Sequence, residues 1–145
     1  MLFFDTSALV KRYADEQGTE TVDELIENDD DTVVITSLSV IEITSAFRRK
    51  YNRGEITSTQ RDGLLTAFFE ESTDEFTIIP VTETVFEIAF DLVLEANLRT
   101  LDALQLGAAI ELTTPDLDVT FVCADKKLVD VAEGRNLYTV NPAID

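Results

Sequence analysis

Leu2-Phe3-Phe4-Asp5-Thr6-Ser7-Ala8-Leu9-Val10 passes from an apolar run through a single acid into a helix-forming stretch. Leu2-Phe4 is too short for a buried helix and reads as a strand. Ser7 to Tyr13 reads as the helix that follows it. The same unit recurs along the chain. Thr32-Thr36 is β-branched and strand-like. A helix follows from Ser39 to about Tyr51, with Val40, Ile43, Ala46 and Phe47 at helical spacing, and Asn52-Arg53-Gly54 stops it. Thr19 to Glu27 forms an earlier helix, and the charged run Glu27–Asp31 reads as a solvated loop. Thr57 to Glu71 is helical. Phe76-Ile79 is a strand closed by Pro80. Thr82 caps a helix to about Asn97, and Thr100 caps another to Leu112. Val119-Cys123 is a strand, Asp125 to Glu133 a short helix ending at Gly134, and Leu137-Val140 a last strand. Alternating strands and helices predict a three-layer α/β/α sandwich around a small parallel sheet. The 145 residues fit one domain spanning 1–145, by the prior of roughly 100–200 residues per domain.

Open parallel sheets bind ligands outside the carboxyl ends of their strands. Asp5, Glu42 and Asp125 each follow a predicted strand, so the fold class predicts that they share that edge. Asp102 follows a helix, and nothing local places it there. Taken singly, each acid has a purely structural explanation. Ser39-Val40-Ile41-Glu42 has the pattern of a capping box. Thr100 as N-cap puts Asp102 at the second helical position, and Asp125 and Asp5 are natural N-caps. Taken together they point elsewhere. Glu42 lies between Ile41 and Ile43, and Asp102 among Leu101, Ala103 and Leu104, so both are expected to be partly buried. Partly buried carboxylates without cationic partners need a metal ion or raised pKa values.

The chain has no histidine, which removes His-based triads and His metal ligands. An oxygen-only donor set suits a hard cation, Mg²⁺ or Mn²⁺. The formal net charge is −18, from 29 acidic and 11 basic residues. Phosphates repel such a surface. The acids are scattered over most helices and only four of the basic residues are lysine, the pattern expected of a halophilic host. At molar salt the Debye length is about 3 Å, and surface acidity hardly repels a polyanion. The single Cys123 excludes an internal disulfide and reads as a small buried hydrophobe. No signal peptide and no apolar run near the roughly 20 residues of a membrane span is visible. The expectation is a cytoplasmic protein without membrane association.

Phe3-Phe4-Asp5-Thr6-Ser7-Ala8-Leu9-Val10 resembles the opening of a PIN domain. Ser39-Val40-Ile41-Glu42-Ile43 matches the second acidic position, Leu98-Arg99-Thr100-Leu101-Asp102-Ala103-Leu104-Gln105-Leu106 resembles the third, and Phe121-Val122-Cys123-Ala124-Asp125-Lys126-Lys127-Leu128 the fourth. Four motifs in order span nearly the whole chain. Its short form is most similar to VapC-like toxin ribonucleases of type II toxin–antitoxin pairs. The resemblance implies a Mg²⁺- or Mn²⁺-dependent endoribonuclease that cleaves RNA, forms a homodimer and is held by an antitoxin protein. It implies Asp5 and Asp102 as principal metal ligands. Glu42 and Asp125 complete an acidic cage and orient or deprotonate the attacking water, and Thr6 or Ser7 hydrogen-bonds a carboxylate or phosphate. The family usually has Thr or Ser where this chain has Cys123, so a supporting hydroxyl is exchanged for a thiol. In toxin relatives the two central helices form an antitoxin groove and contribute to dimerisation. Phe68 and Phe69, adjacent on a helix, cannot both face inward.

Lys11, Arg12, Lys126 and Lys127 lie near Asp5 or Asp125 in sequence and are candidate phosphate contacts. Arg99 precedes Asp102 and is placed to pair with an acid or a phosphate. Each is equally an ordinary surface charge. Arg48, Arg49, Lys50 and Arg53 either bind RNA or an acidic partner, or complement their helix's C-terminal dipole. Three rivals stand beside the toxin. A receiver domain needs paired acids after the first strand and an Asp after a middle one, whereas Asp5 stands alone and Phe76-Ile79 ends without an Asp. The others are a non-catalytic binding module of the same fold and a housekeeping RNA-processing nuclease.

Overall fold

The computed structural model describes residues 1–144. Strands β1 (Leu2–Phe4), β2 (Val33–Thr36), β3 (Thr77–Ile79), β4 (Thr120–Val122) and β5 (Tyr138–Val140) form one parallel sheet in the order β3-β2-β1-β4-β5. Helices α1 (Thr6–Leu9), α2 (Thr19–Glu27), α3 (Ser37–Asn52), α4 (Ser58–Glu75), α5 (Glu83–Ala96), α6 (Thr100–Leu112) and α7 (Lys126–Gly134) connect them. Strand order runs outward from β1 in both directions, so the switch point lies between β1 and β4, whose register pairs Phe3 with Phe121 and Phe4 with Val122. The expected α/β/α sandwich is the architecture observed.

Strand side chains alternate between faces, and the two core clusters follow that alternation. Phe3 and Phe121, whose rings stack at 5.9 Å, face the layer of α5, α6 and α7, with Leu92, Leu106 and Leu128. Leu2, Phe4 and Val122 face the opposite layer, with Leu9, Ile43, Phe47 and Phe68. Phe68 is fully buried while Phe69 is 45 % exposed, as adjacent helical positions require. Helix α6 lies close against α5 because Gly107 has no side chain: a Cβ there would come within 3.2 Å of the Val85 carbonyl oxygen.

Several helix starts differ from expectation. The first helix is one α turn that tightens into a 3-10 turn over Val10–Arg12. The capping box falls at Thr57 and Gln60, whose side chains and backbones bond reciprocally, and not at Ser39 and Glu42. Strand β2 runs straight into α3, so Ser39 lies inside the helix and is fully buried. Arg99 is the N-cap residue of α6, without a side-chain cap, which makes Thr100 its first helical residue. Thr82 and Asp125 cap as expected, accepting from the Val85 and Leu128 amides.

Gly18 precedes α2 with φ of +95°, and a Cβ there would overlap the Pro142 carbonyl. A left-handed non-glycine residue costs about 1–3 kcal/mol. Gly18→Ala is therefore expected to lower stability by at least about 1 kcal/mol in urea denaturation, with no change in metal binding. An unchanged midpoint would contradict the close approach of this turn to the C-terminal segment.

Candidate active site

Asp5 extends β1 by one ladder position, its amide donating to the Val122 carbonyl at 2.9 Å. It then caps α1, so its carboxylate is fixed at the switch point. Oδ2 accepts from the Ser7 amide at 3.1 Å, from the Ser7 hydroxyl, and from the Cys123 thiol at 3.6 Å. These donors are neutral, and the side chain is 5 % exposed. Burial raises the Asp5 pKa above the usual carboxylate range, the Ser7 hydrogen bonds oppose this, and the nearby Glu42 charge adds to the rise.

Cys123 takes the position of the expected hydroxyl. Its sulfur lies 3.6 Å from both Ser7 Oγ and Asp5 Oδ2 and accepts from the Asp125 amide at 3.4 Å. Burial, then the neighbouring Asp5 charge, push its thiol pKa up. It therefore serves Asp5 as a weak neutral donor. The Ala124 amide donates to Ser7 Oγ at 3.0 Å, tying the end of β4 to the start of α1.

Packing of α6 on α5 brings Asp102 to this edge. Burial raises its pKa, followed by the charges of Asp5 and Asp125, while Arg99 and Lys127 pull it down. A cleft of about 210 Å³ is lined by Leu98, Arg99, Asp102, Asp125, Lys127 and Leu128. The Lys127 ammonium donates to the Asn97 carbonyl at 2.9 Å and is thereby held at the cleft's rim. A larger cleft, about 440 Å³, is lined by Tyr13, Lys50, Glu55 and Leu64 among others, and none of the four acids reaches it.

Glu42 belongs to the second turn of α3. Its Oε1 accepts from Thr6 Oγ1 at 3.1 Å and from the Gln105 amide nitrogen at 2.8 Å. The same nitrogen lies 2.9 Å from Ser39 Oγ, and Thr36 Oγ1 donates to the Gln105 carbonyl at 3.0 Å. Ser39 and Gln105 were missed as site residues. The available signal was one amide side chain within the otherwise apolar run Ala103–Ala109, which must find partners when buried.

Two expectations are corrected. The four acids do not close into a cage: among the described residues no group of three or more acidic or cysteine side chains is set to hold a metal ion. Glu42 is turned toward Thr6 and Gln105, and Asp5 is drawn toward Ser7. Lys11 and Arg12 are not free to meet phosphate. Lys11 is buried and pairs with Glu16 at 3.0 Å. Arg12 bonds Glu71, Asp23 and Glu27 at 2.8–2.9 Å. Lys50 pairs with Glu16 and Glu55, and Arg49 and Lys50 close the last turn of α3, where they complement the helix dipole. Lys126 pairs with Asp130 on the surface. Among the described residues no helix is long and apolar enough to cross a membrane.

Fold and site together define a doubly wound α/β protein with a histidine-free carboxylate site at the switch point of its sheet. The family model described as PIN domain matches residues 2–134, and the chain belongs to the PIN domain family. No curated protein matches the sequence. Solved structures similar to it include FitAB bound to an IR36 DNA fragment, at 15 % identity and TM-score 0.74, over 99 % of this chain and 96 % of that one. FitAcB from Neisseria gonorrhoeae is similar at 15 % identity and TM-score 0.70, over the whole of both chains. A toxin–antitoxin complex from Klebsiella pneumoniae is similar at 18 % identity and TM-score 0.66, over 98 % of each. At such identities the likeness is one of fold.

Proposed function

We propose that this protein is a divalent-metal-dependent endoribonuclease and the toxin of a toxin–antitoxin pair. The observation that carries the proposal is Asp5. It is a buried carboxylate at the switch point with neutral hydrogen-bond donors, and it sits within electrostatic reach of Glu42 and Asp102. Membership of the PIN domain family, and likeness in fold to a toxin–antitoxin complex, support the reading.

The donor set fits Mg²⁺ or Mn²⁺, because every candidate ligand is a carboxylate oxygen. Mg²⁺ keeps several waters and binds through one or two carboxylates plus substrate phosphate, seldom through an all-protein cage. Asp5 and Asp102 would hold the ion directly, and Glu42 and Asp125 through water. Bound there, the ion would polarise a phosphoryl oxygen and offset charge developing at phosphorus.

The chain's own residues supply the rest. Ser7 and Cys123 hold Asp5 Oδ2, so Oδ1 would be the oxygen free for an ion. Asp125, capped onto the Leu128 amide, would orient the attacking water or take its proton. Arg99 and Lys127 line the cleft beside Asp102 and Asp125 and would receive the RNA phosphate. The second copy of a homodimer and an antitoxin are the expected protein partners.

The test is incubation of the purified protein with a structured RNA in molar KCl. Internal cleavage is expected with Mn²⁺ or Mg²⁺ and none with a chelator. RNA left intact under both conditions, by protein that is folded and antitoxin-free, would contradict the nuclease assignment.

A further inference from the structure

Gln105 is 1 % exposed in a helix whose neighbouring residues Ala103, Leu104, Leu106 and Gly107 are also buried. A buried amide is costly unless its hydrogen bonds are made. Here they all lead to one edge of the sheet. The carbonyl accepts from Thr36 at the end of β2. The NH₂ group lies 2.8 Å from Glu42 Oε1, 2.9 Å from Ser39 Oγ and 3.3 Å from Thr6 Oγ1. Two N–H bonds cannot serve three acceptors equally, so Glu42 and Ser39, the nearer two, take them. The amide orientation follows from the chemistry. An ionised carboxylate only accepts, so the nitrogen must face Glu42 and the oxygen Thr36.

Asp102 stands three positions before Gln105, one turn earlier on the same face of α6. Gln105 therefore ties the helix that carries Asp102 to the helix that carries Glu42, whose carboxylate in turn accepts from Thr6, the residue after Asp5. Helix α6 follows another helix and not a strand, so the sheet ladder does not set its rotation. Apolar packing on α5, β1 and β4 seats α6, but such packing is non-directional. Directional polar contacts from α6 to the end of β2 and to α3 can set that rotation, and among the described residues Gln105 makes them.

We infer that Gln105 is a positioning residue: its amide fixes the Glu42 carboxylate and the rotation of α6, and so sets the spacing of Asp102 from Asp5 on which divalent-ion binding depends. The inference rests on the metal site proposed above.

The test compares Mn²⁺ affinity by calorimetry for the wild type, Gln105→Met, Gln105→His and Leu92→Val. Methionine keeps the volume and loses every hydrogen bond. Leu92→Val thins the core that α5 shares with the sheet, removes no hydrogen bond, and controls for general loss of stability. Gln105→Met is expected to weaken Mn²⁺ binding by about 10–100-fold, the usual cost of removing a partner that orients a metal ligand. Turnover on RNA falls in parallel, with KM for RNA nearly unchanged. Leu92→Val is expected to lower the melting temperature and leave Mn²⁺ affinity unchanged. Gln105→His retains a ring N–H for Glu42, and is expected to recover most of the affinity; it carries the test if the methionine variant does not fold. Affinity unchanged in Gln105→Met, or reduced equally in Leu92→Val, overturns the inference and leaves the metal site standing. A wild type that takes up no Mn²⁺ overturns both.

Discussion

Asp102→Asn is expected to reduce metal-dependent RNA cleavage by about three orders of magnitude or more, the equivalent of roughly 4 kcal/mol of transition-state stabilisation. The change keeps the size of the side chain and removes the charge that would share the ion with Asp5. It is also expected to stabilise the metal-free protein. Burial and the charges of Asp5 and Asp125 raise the Asp102 pKa, so ionised Asp102 is a source of repulsion in the fold. The side chain is only partly buried, and solvent screens much of that repulsion. The gain is therefore set at about 1 kcal/mol, or roughly 2–4 °C in melting temperature for a chain of this size.

The pH dependence has a definite sign. Asp5 and Asp102 both have folded pKa values above the ordinary value of 3.8. As pH rises from there through the folded values, the native state holds more protons than the unfolded one, and their contribution makes stability fall. Asp102→Asn should flatten that decline, and Mn²⁺ should raise the melting temperature of the wild type while barely moving that of the variant. A variant that cleaves like the wild type, or one that melts lower without metal, would remove the basis for a strained carboxylate pair.

Arg12→Ala is expected to produce the largest loss of stability among single polar substitutions. Arg12 joins three elements: its fork bonds Glu71 of α4 through Nε at 3.0 Å and Nη2 at 2.8 Å, and Nη1 reaches Asp23 and Glu27 of α2, both at 2.9 Å. The Tyr13 hydroxyl adds a bond to Glu71 at 2.8 Å. Burial alone would raise the Glu71 pKa, but hydrogen bonds from Arg12 and Tyr13 bring it below the ordinary value. Truncation leaves the partly buried Glu71 without its cation beside two further acids. Removing one member of a buried pair costs about 3–5 kcal/mol. Asp23 and Glu27 remain wet, so the expected loss is about 2–4 kcal/mol. Arg12→Lys cannot replace the two-pronged contact and should recover only part of it.

The sign for Glu71 is opposite to that for Asp5. Its depressed pKa contributes stability above its unfolded value, which is lost as pH falls through the folded one. The gap between wild type and Arg12→Ala in urea denaturation should therefore narrow in acid. Equal midpoints at neutral pH would show that the cluster is a solvated surface feature.

The strands and their order of alternation with helices were legible because each is a short apolar run flanked by turn residues or acids. Asp5 and Asp125 were legible as caps at strand ends, and the rule for parallel sheets then set their common edge. Asp102 was recognised from its motif, but its position depends on how α6 packs on α5, aided by Gly107, and no local periodicity encodes that. The capping box at Ser39 was wrongly inferred because β2 enters α3 without a loop, which moves Ser39 from the helix terminus into the interior. Lys11 and Arg12 looked available because they are close to Asp5 in sequence. The 3-10 turn carries them instead to acids of α2, α4 and the following loop, some distant in sequence. The open arrangement of the acids was not legible either, since hydrogen bonds from Ser7 and Gln105 decide which way each carboxylate turns.

Asp5 and Asp102 are proposed to share one hard cation. An anomalous difference map from a crystal soaked in Mn²⁺ tests the proposal directly. A peak in contact with both carboxylates is expected, with Glu42 and Asp125 around it and water between. A map with no peak at that edge of the sheet, or with Mn²⁺ only on the scattered surface acids, would contradict it.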